Sequence, residues 1–484
     1  MNPSREKNVQ ALKALLGNDA LAERLTSTRI AVVLPTEELS TSARLLSTAL
    51  ADVLARLWPC IDFSGHGADG CQAVAANAAG AGNSSEMTVR WLPPYDVVVA
   101  VGCDAPPVEA PVLRAGADGW FAQIGAGATC GDSDNPVGPA FSAAMTAAQV
   151  FHRVFRSEFS GMDVEPFDEW SADVREMFGI PGLEAGDLDL GETHMFGVGA
   201  VSHGLVWLLE QWPHAVTGML ALVDQDKYST SNPQRYGFMN AGEIGRDKVA
   251  VVAARLRAAH PKLDVLDKAT DLNSYCAARG YERPLRRVIA GLDSAEARRH
   301  AALKMPDQAI NMWTSAERIG AGRYVPQSGG ACLACGYLEK IDVQLDEVAE
   351  LYKQTSILPH ALRNLLDSGR GLTPGEASTI ASRWSMDPAQ FVGQPLRSVM
   401  PVICATGKVA LQDTGEVVDV PFSFASLLAG IAGFIMILKS LANPTSYSED
   451  WGQHIFKKPS PLLLRAAHSR PACVCCSEMA NLST

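Results

Sequence analysis

The sequence predicts an α/β protein made of two Rossmann-like, doubly wound sheets. Three observations predict it: strand-like and helix-like stretches alternate along the chain, the alternation runs twice in the same order, and each run places an acidic residue after a β-branched strand. A length of 484 residues is enough for two or three domains, and 47% hydrophobic with 19% charged residues is the composition of a folded protein.

The first copy opens with RIAVVLP (Arg29 to Pro35), a continuous apolar run that reads as a buried strand, followed by a helix through SARLLSTALADVLARLWP to Trp58-Pro59. The second copy has a strand around Met195 and a helix through LVWLLEQWP that stops at Trp212-Pro213. Next, YDVVVAVGCD reaches Asp104 as LRRVIAGLD reaches Asp293, so each carboxylate stands at the carboxyl tip of a strand. Last, the apolar helix from Pro139 to Phe151 has its counterpart in Pro421 to Phe434. Four matches in one order predict an internal repeat, with domains over 1–185 and 186–484. A mostly helical stretch, about 337–400, reads as an insertion in the second.

The copies are not equivalent. RIAVVLPTEEL has no glycine after its strand, so a phosphate has no route to the backbone there; GVGAVSHG keeps Gly197 and Gly199, with Ser202 in place of a third glycine. The first domain is therefore expected to be degenerate and inactive, and the second active. The strand ending at Asp224 offers a carboxylate to a ribose, an arrangement open to both a dinucleotide oxidoreductase and an ATP enzyme.

The segment from Asp224 to Lys248 separates these two. Ribose recognition has no need of an Asn, an Arg and a Lys immediately afterwards, whereas a triphosphate with a departing diphosphate does. In order, Asp224, Asp226, Asn232, Arg235, Gly245 and Lys248 spell D-x-D…S-N-x-x-R…G-x-x-K. This run resembles the signature of the ubiquitin-activating superfamily, which includes activators of the sulfur carriers of molybdopterin and thiamine synthesis. The resemblance implies that Asp224 binds the ribose, that Asn232, Arg235 and Lys248 hold phosphates, and that Asp293 binds Mg²⁺, with Arg298 matching a family arginine five positions on. Ser294 stands where the family usually has Asn. Surface salt bridges for Arg235 and Lys248, and a helix cap for Asp293, are the plainer readings of the same residues. The resemblance also implies a partner domain able to donate an arginine, with Arg5 and Arg29 as candidates.

Cys332-x-x-Cys335 and Cys473-x-x-Cys476 are two hooks of soft ligands that together suit a closed, structural Zn²⁺ site, with Cys475 leaving the last hook open by one residue. The remaining cysteines Cys60, Cys71, Cys103, Cys130 and Cys276 have no ligand spacing. Cys404 lies in the region where thioester-forming members of the superfamily place their cysteine, and a core cysteine is its plainer reading. His194 and His203 flank the glycine loop, and both are expected on a helix or strand surface.

A formal charge of −12, from 41 basic and 53 acidic residues, disfavours nucleic acid or an anionic membrane as partner. The charged N-terminus MNPSREKNVQALK has no signal-peptide run, so a cytoplasmic location is expected. Pro421 to Leu438 is long and apolar enough to suggest a membrane span, but its Ser and Gly content and Lys439 fit a buried helix. The function implied by the resemblance is ATP-dependent adenylation of the C-terminal carboxylate of a ubiquitin-like protein, then a thioester on Cys404 and transfer to a conjugating enzyme. It is similar to the activating enzymes of bacterial ubiquitin-like conjugation systems, including those of antiphage defence. A sulfur-carrier or peptide adenylator without the thioester step, and a Rossmann oxidoreductase, are the alternatives.

Overall fold

The computed structural model describes residues 3–16, 21–79, 87–159, 164–280, 285–315, 317–326, 329–338, 351–352, 355, 357–384, 387–396, 398–399, 409–410, 417–418, 421–443, 447–470, 473 and 475–476. The chain divides into two compact units, one of Met1–Val9, Ala20–Tyr337 and Pro421–Thr484, the other of Gln10–Asp19 and Leu338–Val420.

Both sheets lie in the first unit. After helices α1 (Pro3–Leu16) and α2 (Ala22–Ser27), the chain runs β1 (Arg29–Val33), α3 (Thr41–Ala55), β2 (Cys60–Ser64), α4 (Ala68–Ala79), β3 (Met87–Val89), β4 (Val97–Val101), β5 (Val112–Asp118), β6 (Phe121–Ile124), α5 (Val137–Val154), β7 (Trp170–Asp173) and the short α6 (Val174–Met177). The second run is β8 (Leu188–Phe196), α7 (Ala200–Gln211), β9 (Val216–Val223), α8 (Lys248–Ala259), β10 (Asp264–Lys268), α9 (Leu272–Arg279), β11 (Arg287–Ala290), α10 (Ala295–Ala302), β12 (Gln308–Thr314) and β13 (Arg318–Tyr324).

In the second unit α11 (Pro359–Ser368), α12 (Pro374–Trp384) and the two-residue strands β14 (Val409–Ala410) and β15 (Val417–Val418) follow. The chain then returns to the first unit with α13 (Ser423–Ala442), β16 (Glu449–His454) and β17 (Leu464–Ala466).

The two sheets have the same winding. One is ordered β3-β2-β1-β4-β5-β6-β7 and the other β10-β9-β8-β11-β12-β13-β16-β17. In each, the first five strands are parallel and the rest antiparallel. All four sequence matches fall on equivalent elements: β1 and β8, α3 and α7, β4 and β11, α5 and α13. Parallel strands covered by helices on both faces explain why the strands read as unbroken apolar runs. β4, for example, is buried at all five positions.

α13, the apolar segment that resembles a membrane span, is 94% buried over its most apolar window. Gly430 lets it approach α7: a Cβ there would lie 2.6 Å from Leu205 N and Val201 O. Phe422, just before it, packs on Phe151 of α5 with ring centroids 4.7 Å apart, so the core is continuous from one winding to the other. Lys439 is buried with its ammonium on Glu449, 2.7 Å, and on Phe178 O, 2.7 Å.

The second unit is the helical insertion, and its limits differ from the expected 337–400: it extends to Val420 and takes in Gln10–Asp19. It has a core of its own around Leu362, Leu365, Ala377, Ile380 and Phe391. Thr373 and Glu376 form a reciprocal cap on α12, Thr373 N donating to Glu376 Oε2 at 2.8 Å and Glu376 N to Thr373 Oγ1 at 3.3 Å.

Candidate functional site

The position of the site follows from the winding. β8 and β11 are neighbours, but the chain runs from β8 to β9 on one side and from β11 to β12 on the other, so a crevice opens at the carboxyl ends of β8 and β11. The register aligns Phe196 with Val223 and with Ala290, so Gly197, Asp224 and Gly291 leave the sheet side by side.

The glycine loop is shaped by contacts within the protein. Gly197 has φ +84°, and a Cβ there would sit 2.6 Å from Gly291 O, so two independent constraints require glycine. Gly199 differs: an added Cβ would meet only Gly291 O, at 3.5 Å, an ordinary contact. As N-cap of α7 it provides no side-chain cap, so that helix presents bare N–H groups. In the first winding Ser40 caps α3 by accepting from Ala43 N at 3.3 Å, and buried Leu34 and then Pro35 follow β1. Ser202 replaces the third glycine by donating to Gly197 O at 2.7 Å, and the space is provided across the contact, where a Cβ on Gly291 would lie 2.1 Å from Ser202 Oγ.

The structure brings Asp224, Asp226 and Lys248 together. Lys248, the first residue of α8 and 4% exposed, places its ammonium 2.9 Å from Asp226 Oδ2 and 3.8 Å from Asp224 Oδ2. The Asp224 oxygens accept from Val198 N (2.7 Å) and Asp226 N (2.8 Å). Burial raises the Asp224 pKa despite Lys248 and these two donors; burial also works against the Lys248 ammonium, but Tyr236, Asp224 and Asp226 together hold its pKa above the ordinary value. Asn232 is buried and uses its carboxamide oxygen on Ser229 N, 2.9 Å.

Arg235 is the exceptional group. Its guanidinium lies over the Tyr236 ring, 5.4 Å from the centroid, with the Lys248 ammonium 5.5 Å from the same ring. Its Nη1 is buried with no hydrogen-bond partner among the described residues. A buried donor without an acceptor carries a desolvation cost that an anionic ligand would relieve, so Arg235 and Lys248 are not ordinary surface salt bridges and suit a phosphate. Lys7 on α1, which sequence reasoning missed because nothing local marks it, has its pKa lowered by burial and then by Arg235.

Asp293 is exposed and has no hydrogen-bond or ion-pair partner among the described residues. The cap of α10 is Ser294, whose Oγ accepts from Ala297 N at 3.1 Å. The helix-cap reading of Asp293 is thereby corrected, and its carboxylate remains available to a cation.

Arg298 points elsewhere: it is 7% exposed and donates to Asn311 Oδ1 (3.0 Å), Met312 O (3.2 Å) and Ser294 O (3.3 Å), bonds that any nucleotide contact would have to break. Arg29 is held by Asp62 and the Leu92 and Pro94 carbonyls at the amino end of β1, which removes it as a donated arginine.

His194 and His203 are buried, not on a surface. His194 bonds Tyr275 and Glu192. His203 Nδ1 lies 2.8 Å from Gly199 O, which can only accept, so Nε2 accepts from Tyr228 Oη at 2.6 Å. Burial pushes the His203 pKa down to about 3, so this ring supports the glycine loop as a neutral group. Cys404 lies outside the described residues.

A second cluster joins Cys332, Cys335, Cys473 and Cys476, whose sulfurs all lie within 4.8 Å of one another. Observed pairs are 3.3 Å (Cys332–Cys473), 3.5 Å (Cys335–Cys476) and 3.9 Å (Cys332–Cys335). A tetrahedral zinc with Zn–S of about 2.3 Å separates its sulfurs by about 3.8 Å, whereas a disulfide needs about 2.05 Å. The donor set therefore fits Zn²⁺ and would tether the C-terminus to the segment after β13. Cys475 is buried beside them, its thiol against Cys332.

The family model described as ThiF family matches residues 182–439, just over half of the chain. The uncharacterized protein y4jF of Sinorhizobium fredii is 29% identical over 347 residues, covering 69% of this chain and 66% of that protein, so the match spans slightly less than two thirds of the relative's length. Two structures of E. coli MccB were also found, one with MccA-N7isoASN and one with AMPCPP and MccA. Each is 12% identical, with TM-scores of 0.34 and 0.33, and the matches cover 68% of this chain and 74% and 73% of theirs. At these scores they carry no argument about this chain.

Proposed function

The chain belongs to the ThiF family, and on that premise we propose that it is an ATP-dependent adenylating enzyme that activates the C-terminal carboxylate of a small protein or peptide. The observation that carries the proposal is the buried Arg235 Nη1, without a partner among the described residues, in one loop with buried Lys248. The Lys248 ammonium and the Arg235 Nη1 are held out of water, and Arg235 has no ion pair among the described residues, an arrangement that suits a polyphosphate and has no use in hydride transfer.

In this reading the substrate carboxylate oxygen attacks the α-phosphorus of ATP. The new O–P bond forms as the bond to the bridging oxygen breaks, and the electron pair leaves on diphosphate. Arg235 and Lys248 neutralise charge on the phosphates, the open N-terminus of α7 faces the reacting end, and Asp224 accepts from a ribose hydroxyl. Asp293 would hold Mg²⁺, which supplies charge neutralisation to the departing diphosphate. Lys7 adds a third cation. The first winding, with a capped helix and no glycine loop, would act as a degenerate partner without a nucleotide of its own.

The ubiquitin-like substrate, the thioester on Cys404 and the conjugating enzyme are narrower forms of this reading. Loss of a reductant-sensitive adduct in Cys404→Ala, with adenylation retained, would support them.

Binding calorimetry with the full chain tests the proposal. ATP with Mg²⁺ should bind saturably and NAD should not, and Arg235→Met should weaken ATP binding by about tenfold or more, as expected for a charge-assisted contact. Equal ATP affinity in Arg235→Met, or saturable NAD binding, would overturn it.

A further inference from the structure

The loop carrying Arg235 is not held only by its own winding. Asp52 in the last turn of α3 of the other winding and Arg56, the C-cap of that helix, form a buried pair, 2% and 4% exposed, with Arg56 Nε on Asp52 Oδ2 at 2.9 Å and Nη2 on Oδ1 at 2.6 Å. The pair's remaining bonds go to the backbone of that loop. Arg56 Nη1 donates to Pro233 O at 2.6 Å and Nη2 to Met239 O at 3.1 Å, while both Asp52 oxygens accept from Phe238 N at 3.1 Å. Asn8 on α1 donates to the Arg56 carbonyl at 2.7 Å.

Phe238 has φ +59°, a conformation that a bulky residue keeps only where its surroundings impose it. Here Asp52 holds its N–H, Arg255 Nη1 donates to its carbonyl at 3.2 Å, and its ring stacks on Trp207 at 4.5 Å. A buried ion pair is a poor source of stability, because two desolvated charges are at best roughly offset by their attraction, whereas it can fix one geometry among several. This pair grips the loop at Pro233, Phe238 and Met239, and between these points lies Arg235 Nη1, buried and with no partner among the described residues.

We propose that Asp52 and Arg56 are positioning residues of the nucleotide site: the degenerate winding clamps the Pro233–Met239 backbone so that Arg235 is presented to ATP. The inference rests on the adenylation reading above. It gives the first winding a function that needs no ligand of its own.

The test is a double-mutant cycle read as ATP·Mg²⁺ affinity of the full chain, using Arg56→Lys, Arg235→Met and both together. Lysine keeps the charge but lacks the fork that reaches two carbonyls. Arg56→Lys should weaken binding about tenfold, in keeping with the sensitivity of such sites to small misplacements. The double variant should bind no more weakly than Arg235→Met alone, because Arg56 acts through Arg235. A general loss of stability would instead multiply the two effects. If Arg56→Lys does not fold, Asp52→Asn, which keeps an acceptor for Phe238 N, carries the same cycle.

Unchanged affinity in the clamp variant, or multiplying losses in the double variant, would overturn the clamp while leaving the adenylation reading in place. Unchanged affinity in Arg235→Met would overturn that reading, and the clamp with it.

Discussion

Two glycines two residues apart should respond differently to the same substitution. Alanine at Gly197 would have to hold φ +84°, at a cost of about 1–2 kcal/mol, with its Cβ 2.6 Å from Gly291 O. Ordinary contact begins at 3.4 Å, so the backbone leading to Asp293 must retreat by about 0.8 Å. Gly197→Ala should therefore lower the melting temperature by a few degrees and reduce ATP turnover by one to two orders of magnitude. Alanine at Gly199 meets nothing closer than 3.5 Å, so the fold should keep its stability within about 0.5 kcal/mol. The same Cβ would stand in the approach to the bare N-terminus of α7, and ATP should bind about tenfold more weakly. Differential scanning calorimetry and ATP titration on both variants separate the effects. A stable Gly199→Ala with undiminished ATP affinity would refute the argument that a phosphate approaches this backbone.

Metal analysis should find about one zinc per chain, and Cys335→Ser or a strong chelator should cause loss of the C-terminal tether before any change in ATP chemistry, since metal binding energy is folding energy. His203, neutral in the fold with a pKa of about 3 against an ordinary 6.5, contributes stability that is fully present above pH 6.5 and is lost as pH falls toward 3. Acid unfolding followed by circular dichroism should therefore be shallower over that window in His203→Gln. Asp293→Asn should leave thermal stability unchanged, because the carboxylate has no partner among the described residues to lose, while raising the Mg²⁺ concentration needed for activity. Arg298→Met should destabilise the fold by about 2–3 kcal/mol in chemical denaturation through its lost bonds to Asn311 and Met312.

The parts of the fold that were legible are local or repeated. Arg29–Pro35 and the strand at Met195 announce themselves as buried parallel strands, and Trp58-Pro59 and Trp212-Pro213 end equivalent helices. Asp224 to Lys248 was legible because its groups are contiguous, so one loop brings them together. What escaped depends on contacts distant in sequence: Arg56 reaches Pro233 across 177 positions, a pairing no periodicity encodes. The hydrogen bond of Arg298, on α10, to Asn311 was not legible, because an arginine within a helix looks the same from the sequence whether it faces a cleft or a neighbouring strand. His203 was expected on a surface because Tyr228, the partner of its Nε2, lies 25 positions further along the chain and reaches it only in the fold. The insertion was recognised by its helical pattern, but its limit at Val420 and the inclusion of Gln10–Asp19 follow from packing.

Exchange of labelled diphosphate into ATP tests the central claim most directly, because it reports the reversible step in which the α-phosphorus changes partners. The purified full chain should catalyse exchange when supplied with the small-polypeptide fraction of its host. Prior digestion of that fraction with carboxypeptidase should abolish the exchange, as should Lys248→Met. Exchange that persists in Lys248→Met, or that is indifferent to removal of the polypeptides' C-termini, would contradict the account.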